Sequence, residues 1–85
     1  MKNTTILITG ASSGIGKATA ELFAKDGARL ILCGRRQERL DQLKDSLNTE
    51  VHLLNFDVRD RTAVFRAIES LPANWKQIDV LINNA

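Results

Sequence analysis

Tyrosine is missing from the chain altogether, and cysteine, histidine, proline, tryptophan and methionine each occur once. A lone thiol, Cys33, cannot close an internal disulfide, and one histidine with one cysteine cannot assemble a structural zinc site. That usage fits a reducing cytosol, so a cytoplasmic protein is expected. Long apolar runs are also lacking: the first is a five-residue stretch soon closed by Gly10, too short for a signal peptide or a membrane span. No segment is low in complexity or rich in Pro, Gly or Ser, so no interdomain linker is expected. Charge of one sign is scarce as well. With 12 Lys+Arg against 10 Asp+Glu, the net +2 is small and not gathered into a run, so neither nucleic acid nor a membrane is an expected partner.

What is present suffices for a folded chain, because 44% hydrophobic and 26% charged residues are too apolar a balance for disorder. Its 85 residues make at most one small domain, or part of a larger one, since domains run to about 100–150 residues. The apolar pattern alternates between two periods. Residues 4–9 (TTILIT) form a β-branched run that reads as a strand buried on both faces. Residues 14–26 then place Ile15, Ala18, Leu22 and Phe23 at helical spacing, with Gly27 at the helix end. The unit repeats as a strand over 29–33 (RLILC), followed by a helix over 37–47 with Leu40, Leu43 and Leu47 on one face. A third strand over 51–56 leads to a helix capped by Asp60 and carrying Val64, Ala67, Ile68 and Leu71. Pro72 closes that helix, and residues 79–83 (DVLIN) read as a fourth strand.

Strands alternating with helices of about ten residues or more predict parallel pairing, because each helix returns the chain to the same end of the sheet. The expected architecture is α/β, a Rossmann-type doubly wound sheet in β-α-β-α-β-α-β order, with strands arranged 3-2-1-4. Ligands bind such sheets at the carboxyl ends of the strands.

The turn after the first strand, Thr9-Gly10-Ala11-Ser12-Ser13-Gly14-Ile15-Gly16, is the most informative stretch. Gly10 permits a sharp turn, Gly14 removes a side chain that would hold a pyrophosphate off the backbone, and Gly16 lets helix and strand approach closely. The helix start offers unpaired N–H groups to an anion, and Ser12 and Ser13 add hydroxyl donors. An acidic residue about 20 positions on would hold the ribose 2′-hydroxyl of NAD. The second strand instead ends in Gly34-Arg35-Arg36, where guanidinium groups can pair with the 2′-phosphate of NADP. NADP is therefore the expected cofactor, the plain alternative being solvated loop charges. Asp57 can accept a hydrogen bond from an adenine amino group, with the Val58 backbone beside it, or can serve only as a turn residue. Asn83 and Asn84 can face a cofactor ribose or brace the neighbouring loop. Cys33 and Trp75 read as apolar filling, His52 as structural and Lys17 as a solvated first-turn cation.

These motifs together resemble the short-chain dehydrogenase/reductase superfamily in its cofactor-binding part: the glycine turn, then Asp57-Val58, then Asn83-Asn84-Ala85. Residues 34–40 (GRRQERL) and 71–75 (LPANW) resemble its bacterial NADP-dependent 3-hydroxy acid (serine or allo-threonine) branch. The resemblance implies hydride transfer between NADP and a small-molecule alcohol/carbonyl pair in a complete homo-oligomeric protein. It implies a cofactor-binding set of Thr9, Gly10, Ser12, Ser13, Gly14, Ile15, Gly16, Arg35, Arg36, Asp57, Val58 and Asn84. The family's catalytic Ser, Tyr and Lys would lie past Ala85, where its motif normally continues with Gly. Residues 1–85 are thus expected to be the N-terminal part of one NADP-binding domain, a fragment without turnover of its own. A non-catalytic nucleotide-binding or regulatory module of the same fold is the alternative.

Overall fold

The apolar runs become four parallel strands, β1 (Thr5–Thr9), β2 (Arg29–Gly34), β3 (Val51–Asn55) and β4 (Val80–Asn83), in the computed structural model, which describes residues 2–84. Their order across the sheet is β3-β2-β1-β4, as the winding rule predicts. Three helices, α1 (Gly14–Lys25), α2 (Gln37–Ser46) and α3 (Arg61–Glu69), connect them, and a 3₁₀ turn at Ala73–Trp75 precedes β4. Ala85, the last residue of the fourth-strand motif, lies outside the described residues.

The alternation of side chains along each strand separates two apolar layers. Ile6, Ile8, Leu30 and Leu32 pack with Ala20, Ala24, Leu40 and Leu43 from α1 and α2. On the opposite face Leu7, Ile31, Cys33 and Leu54 pack with Leu71 and Trp75, and Ala67 and Ile68 of α3 close the layer. Every residue of β1 is buried, as expected of a strand covered on both sides. Each fully buried Leu or Ile contributes about 1.5–3 kcal/mol, so the paired β1 and β2 residues hold the fold together. Asp60 caps α3 by accepting from the Ala63 N–H at 3.1 Å, also as expected.

Helix α1 corrects one expectation. Ile15 and Leu22 stand 74% and 65% exposed, Ala18 also faces outward, and Phe23 is only half-buried. Gly16, Ala20 and Ala24 form the packed face instead. The cause is proximity: a Cβ on Gly16 would fall 2.1 Å from the Gly10 carbonyl oxygen, so only small side chains fit between α1 and the sheet.

Along β4, Val80 and Ile82 lean on the α1 layer while Leu81 is 65% exposed. Among the described residues no strand pairs with its outer edge. Among the described residues no helix is long and apolar enough to cross a membrane.

Candidate functional site

The turn from β1 into α1 is built by Gly10, whose φ of +60° lies in the left-handed region and which passes so close to Asn84 that a Cβ would stand 3.2 Å from its carbonyl oxygen. Ser13 then caps α1: its hydroxyl donates to Gly10 O at 2.7 Å and accepts from the Gly16 N–H at 3.2 Å. That hydroxyl proton is committed to the backbone, so Ser13 holds the turn in shape. The Gly14 and Ile15 amides have no protein acceptor among the described residues. The space a Gly14 side chain would take is open to beyond 4 Å. The helix start therefore presents donors, a favourable dipole and room for an anion.

Beside this turn, the carboxyl ends of β1, β2 and β3 and the start of α2 enclose a cleft of about 390 Å³. Of the residues singled out from the sequence, Thr9, Gly10, Ser12, Ser13, Arg35, Arg36, Asp57 and Val58 line it. Gly14, Ile15, Gly16 and Asn84 do not. Gly16 acts through packing, and the Ile15 side chain points to solvent. Cys33, Gly34 and Phe56 complete the apolar part of the wall, and two further arginines, Arg39 and Arg59, join its rim.

The charge in this cleft is one-sided. Arg35, Arg36, Arg39 and Arg59 line it together with a single carboxylate, Asp57. Arg59 grips that carboxylate through its backbone N–H (3.0 Å to Oδ1), Nε (3.1 Å to Oδ1) and Nη2 (2.9 Å to Oδ2). Arg35 Nη1 lies 4.0 Å from Oδ2. The side-chain hydrogen bonds from Arg59, helped by its backbone N–H and by both guanidinium charges, lower the Asp57 pKa from 3.8 to about 2. Asp57 is thus ionised throughout the neutral range. Burial pushes the Cys33 thiol from 9.0 up to about 12, which makes it an inert wall residue, as its sequence context predicted.

Thr9 ties β4 to the cleft. Its hydroxyl donates to Asn83 Oδ1 at 2.7 Å and accepts from the Asn84 N–H at 3.1 Å. Of the two roles open to these asparagines, bracing is the one seen in the contacts. Asn84 Nδ2 is buried without a hydrogen-bond partner among the described residues. Arg39 and Arg59 escaped the sequence reading, since a single arginine in a helix or a polar turn looks like any solvated charge. The available signals were the four-residue step from Arg35 to Arg39 and the Asp-x-Arg spacing at Asp57.

The short chain dehydrogenase family matches residues 4–85. The chain belongs to that family. It is 45% identical over 80 residues to the NADP-dependent 3-hydroxy acid dehydrogenase YdfG of Escherichia coli O6:H1, covering 94% of this chain and 32% of that protein. The crystal structure of serine dehydrogenase from Escherichia coli superposes with a TM-score of 0.92 at 44% identity, over 96% of this chain and 38% of that one. The closed form of serine dehydrogenase complexed with NADP+ matches at 0.91 and 44% identity, over 96% and 33%. The chain spans about a third of the length of the curated relatives it matches. The narrower resemblance seen in residues 34–40 and 71–75 points to the same branch as these relatives.

Proposed function

We propose that the complete protein is an NADP-dependent oxidoreductase acting on an alcohol/carbonyl pair, with 3-hydroxy acids the class its relatives favour. Residues 1–85 form the N-terminal part of its single dinucleotide-binding domain. The cleft carries this proposal: four arginines and one carboxylate line it at the carboxyl ends of β1–β3, beside a helix start whose Gly14 and Ile15 amides have no acceptor among the described residues. That polarity suits an amino-purine nucleotide whose ribose carries a phosphate at its 2′ position and a pyrophosphate at its 5′ position. The Gly14 and Ile15 amides take the pyrophosphate, and Arg35 and Arg36 take the 2′-phosphate in place of the carboxylate that would select NAD. Asp57 accepts from the adenine amino group while the Val58 N–H, without a protein acceptor among the described residues, donates to the ring nitrogen beside it. When bound, the cofactor supplies the hydride or receives it.

Catalysis needs groups that this stretch does not hold, so residues 1–85 alone bind nucleotide without turnover. Calorimetric titration of the purified protein with NADP+ and NAD+ tests the reading. The native chain prefers NADP+ by about tenfold to a hundredfold, the equivalent of one charge-assisted hydrogen bond of about 1.5–3 kcal/mol. Arg35→Asp reverses the preference. Unchanged discrimination would remove Arg35 from the 2′-phosphate site, and NADP+ binding by a complete protein that oxidises no alcohol and reduces no carbonyl would favour the non-catalytic module.

A further inference from the structure

Asp57 is more tightly held than a residue waiting for a ligand needs to be, and the way it is held has a chemical consequence. A carboxylate offers about four lone-pair positions. Arg59 fills two on Oδ1, through its backbone N–H at 3.0 Å and Nε at 3.1 Å, and one on Oδ2, through Nη2 at 2.9 Å. The longer approach of Nε to Oδ2, 3.3 Å, is the second branch of the same N–H and adds no donor. Arg35 Nη1, at 4.0 Å from Oδ2, is beyond hydrogen-bond reach. One acceptor position is therefore left, on Oδ2, in a carboxylate that is ionised at neutral pH and has no proton to donate. Next to it in the chain is the Val58 N–H, which has no acceptor among the described residues and lines the same cleft.

We propose that Arg59 is a specificity-determining residue: by fixing Asp57 with one free acceptor beside the Val58 donor, it selects a 6-amino purine over a 6-oxo purine. This rests on Asp57 and Val58 facing the nucleobase, as proposed above. Adenine presents a donor at its 6-amino group and an acceptor at N1, which matches acceptor and donor in that order. Hypoxanthine presents an acceptor at O6 and a donor at N1–H, so both contacts become like-to-like, and an oxygen faces an anionic oxygen. Without Arg59, the Asp57 carboxylate is free to rotate, and its open lone pair no longer stands in a fixed place beside the Val58 N–H, which relaxes the pattern. Arg59 is a positioning residue here. Two of its five side-chain N–H donors, on Nε and Nη2, are held by Asp57, and the reading of the 2′-phosphate is assigned above to Arg35 and Arg36.

The test is calorimetric titration of the full chain with NADP+, NAD+ and the hypoxanthine analogue of NADP+, comparing native protein with Arg59→Ala and Arg59→Gln. Circular dichroism checks that each variant is folded. The native chain is expected to bind NADP+ at least about tenfold more tightly than the hypoxanthine analogue. In both variants that ratio falls to about threefold or less, while the ratio of NADP+ to NAD+ stays at its native value. A base ratio unchanged in the folded variants overturns the proposal, as does an equal loss of affinity for all three nucleotides. A native chain that prefers NADP+ to NAD+ but ignores the base removes Asp57 from the nucleobase and the proposal with it. A native chain that binds none of the three overturns the functional assignment of the cleft itself.

Discussion

Arg29 lies across the face of Trp75, with its guanidinium carbon 3.9 Å from the ring centroid. The same guanidinium donates to Glu50 at 2.7 Å, to the Thr5 hydroxyl at 3.2 Å and to the Asn74 carbonyl at 2.9 Å. His52 of β3 meets the other partner, its ring 5.6 Å from that of Trp75. One cation thus joins the starts of β1 and β2, the residue before β3 and the turn before β4, at the end of the sheet opposite the cleft. Trp75→Ala, which removes both the buried ring and the surface Arg29 stacks upon, is expected to cost about 3–5 kcal/mol. Arg29→Met keeps the apolar stem and is expected to cost about 1–2 kcal/mol, the value of a charge-assisted hydrogen bond and a cation–π contact in a half-exposed setting. Urea unfolding followed by tryptophan fluorescence for Arg29→Met, and by circular dichroism for Trp75→Ala, measures both. Equal losses in the two variants would show that the ring and the guanidinium act only as a unit.

Cys33 gives the pH dependence a clear sign. Burial holds its pKa at about 12 against 9.0 for a free thiol, so the folded state favours the protonated form. Its contribution to stability is complete below about pH 9 and is lost as the pH climbs towards 12. Lysines titrate in the same range, so the informative quantity is the difference between the native chain and Cys33→Ala. That difference is expected to narrow between pH 9 and 11 in thermal unfolding. At pH 8 the native thiol should react with a disulfide reagent only as fast as the fold opens. Rapid labelling of the folded chain would place Cys33 at the surface of the cleft, not within its wall.

Strand positions and strand order were legible because β1 and β2 are β-branched and aliphatic runs with a glycine turn between the first of them and a helix. The cleft was legible for the same reason, since parallel strands of that order bring residues 9–16, 35–36 and 57–58 to one end of the sheet. Helix α1 was misread because hydrophobicity picks out large side chains, and Ile15, Ala18 and Leu22 mark a stripe at helical spacing. Close approach obeys the opposite rule: where Gly16 touches Gly10, the buried positions must be small. Arg59 was missed because its grip on Asp57 is a turn contact two residues apart, and the short Asp-x-Arg spacing that marks it carries no periodicity. The latch at Arg29 joins positions separated in sequence by 21 and 45 residues, and only the assembled sheet brings them together.

The two glycines of the turn after β1 separate folding from binding. A methyl group on Gly16 would collide with backbone, standing 2.1 Å from Gly10 O and 2.8 Å from Ala11 Cα, and neither atom can move without pulling α1 from the sheet. Gly16→Ala is therefore expected to destabilise the fold by about 1–3 kcal/mol, the usual cost of overpacking, or by more if α1 cannot shift. A methyl group on Gly14 meets no protein atom within 4 Å. Alanine is also the better helix former by about 1 kcal/mol, an effect that diminishes at the first position of α1, so Gly14→Ala should fold as well as the native chain or slightly better. What it loses is room for an anion against the Gly14 and Ile15 amides. Its affinity for NADP+ is expected to fall about tenfold or more, with the preference for NADP+ over NAD+ unchanged, because the 2′-phosphate end of the cleft is untouched. Thermal unfolding and calorimetry on the same samples decide the matter. A Gly14→Ala chain that binds as tightly as the native one would move the pyrophosphate away from the start of α1.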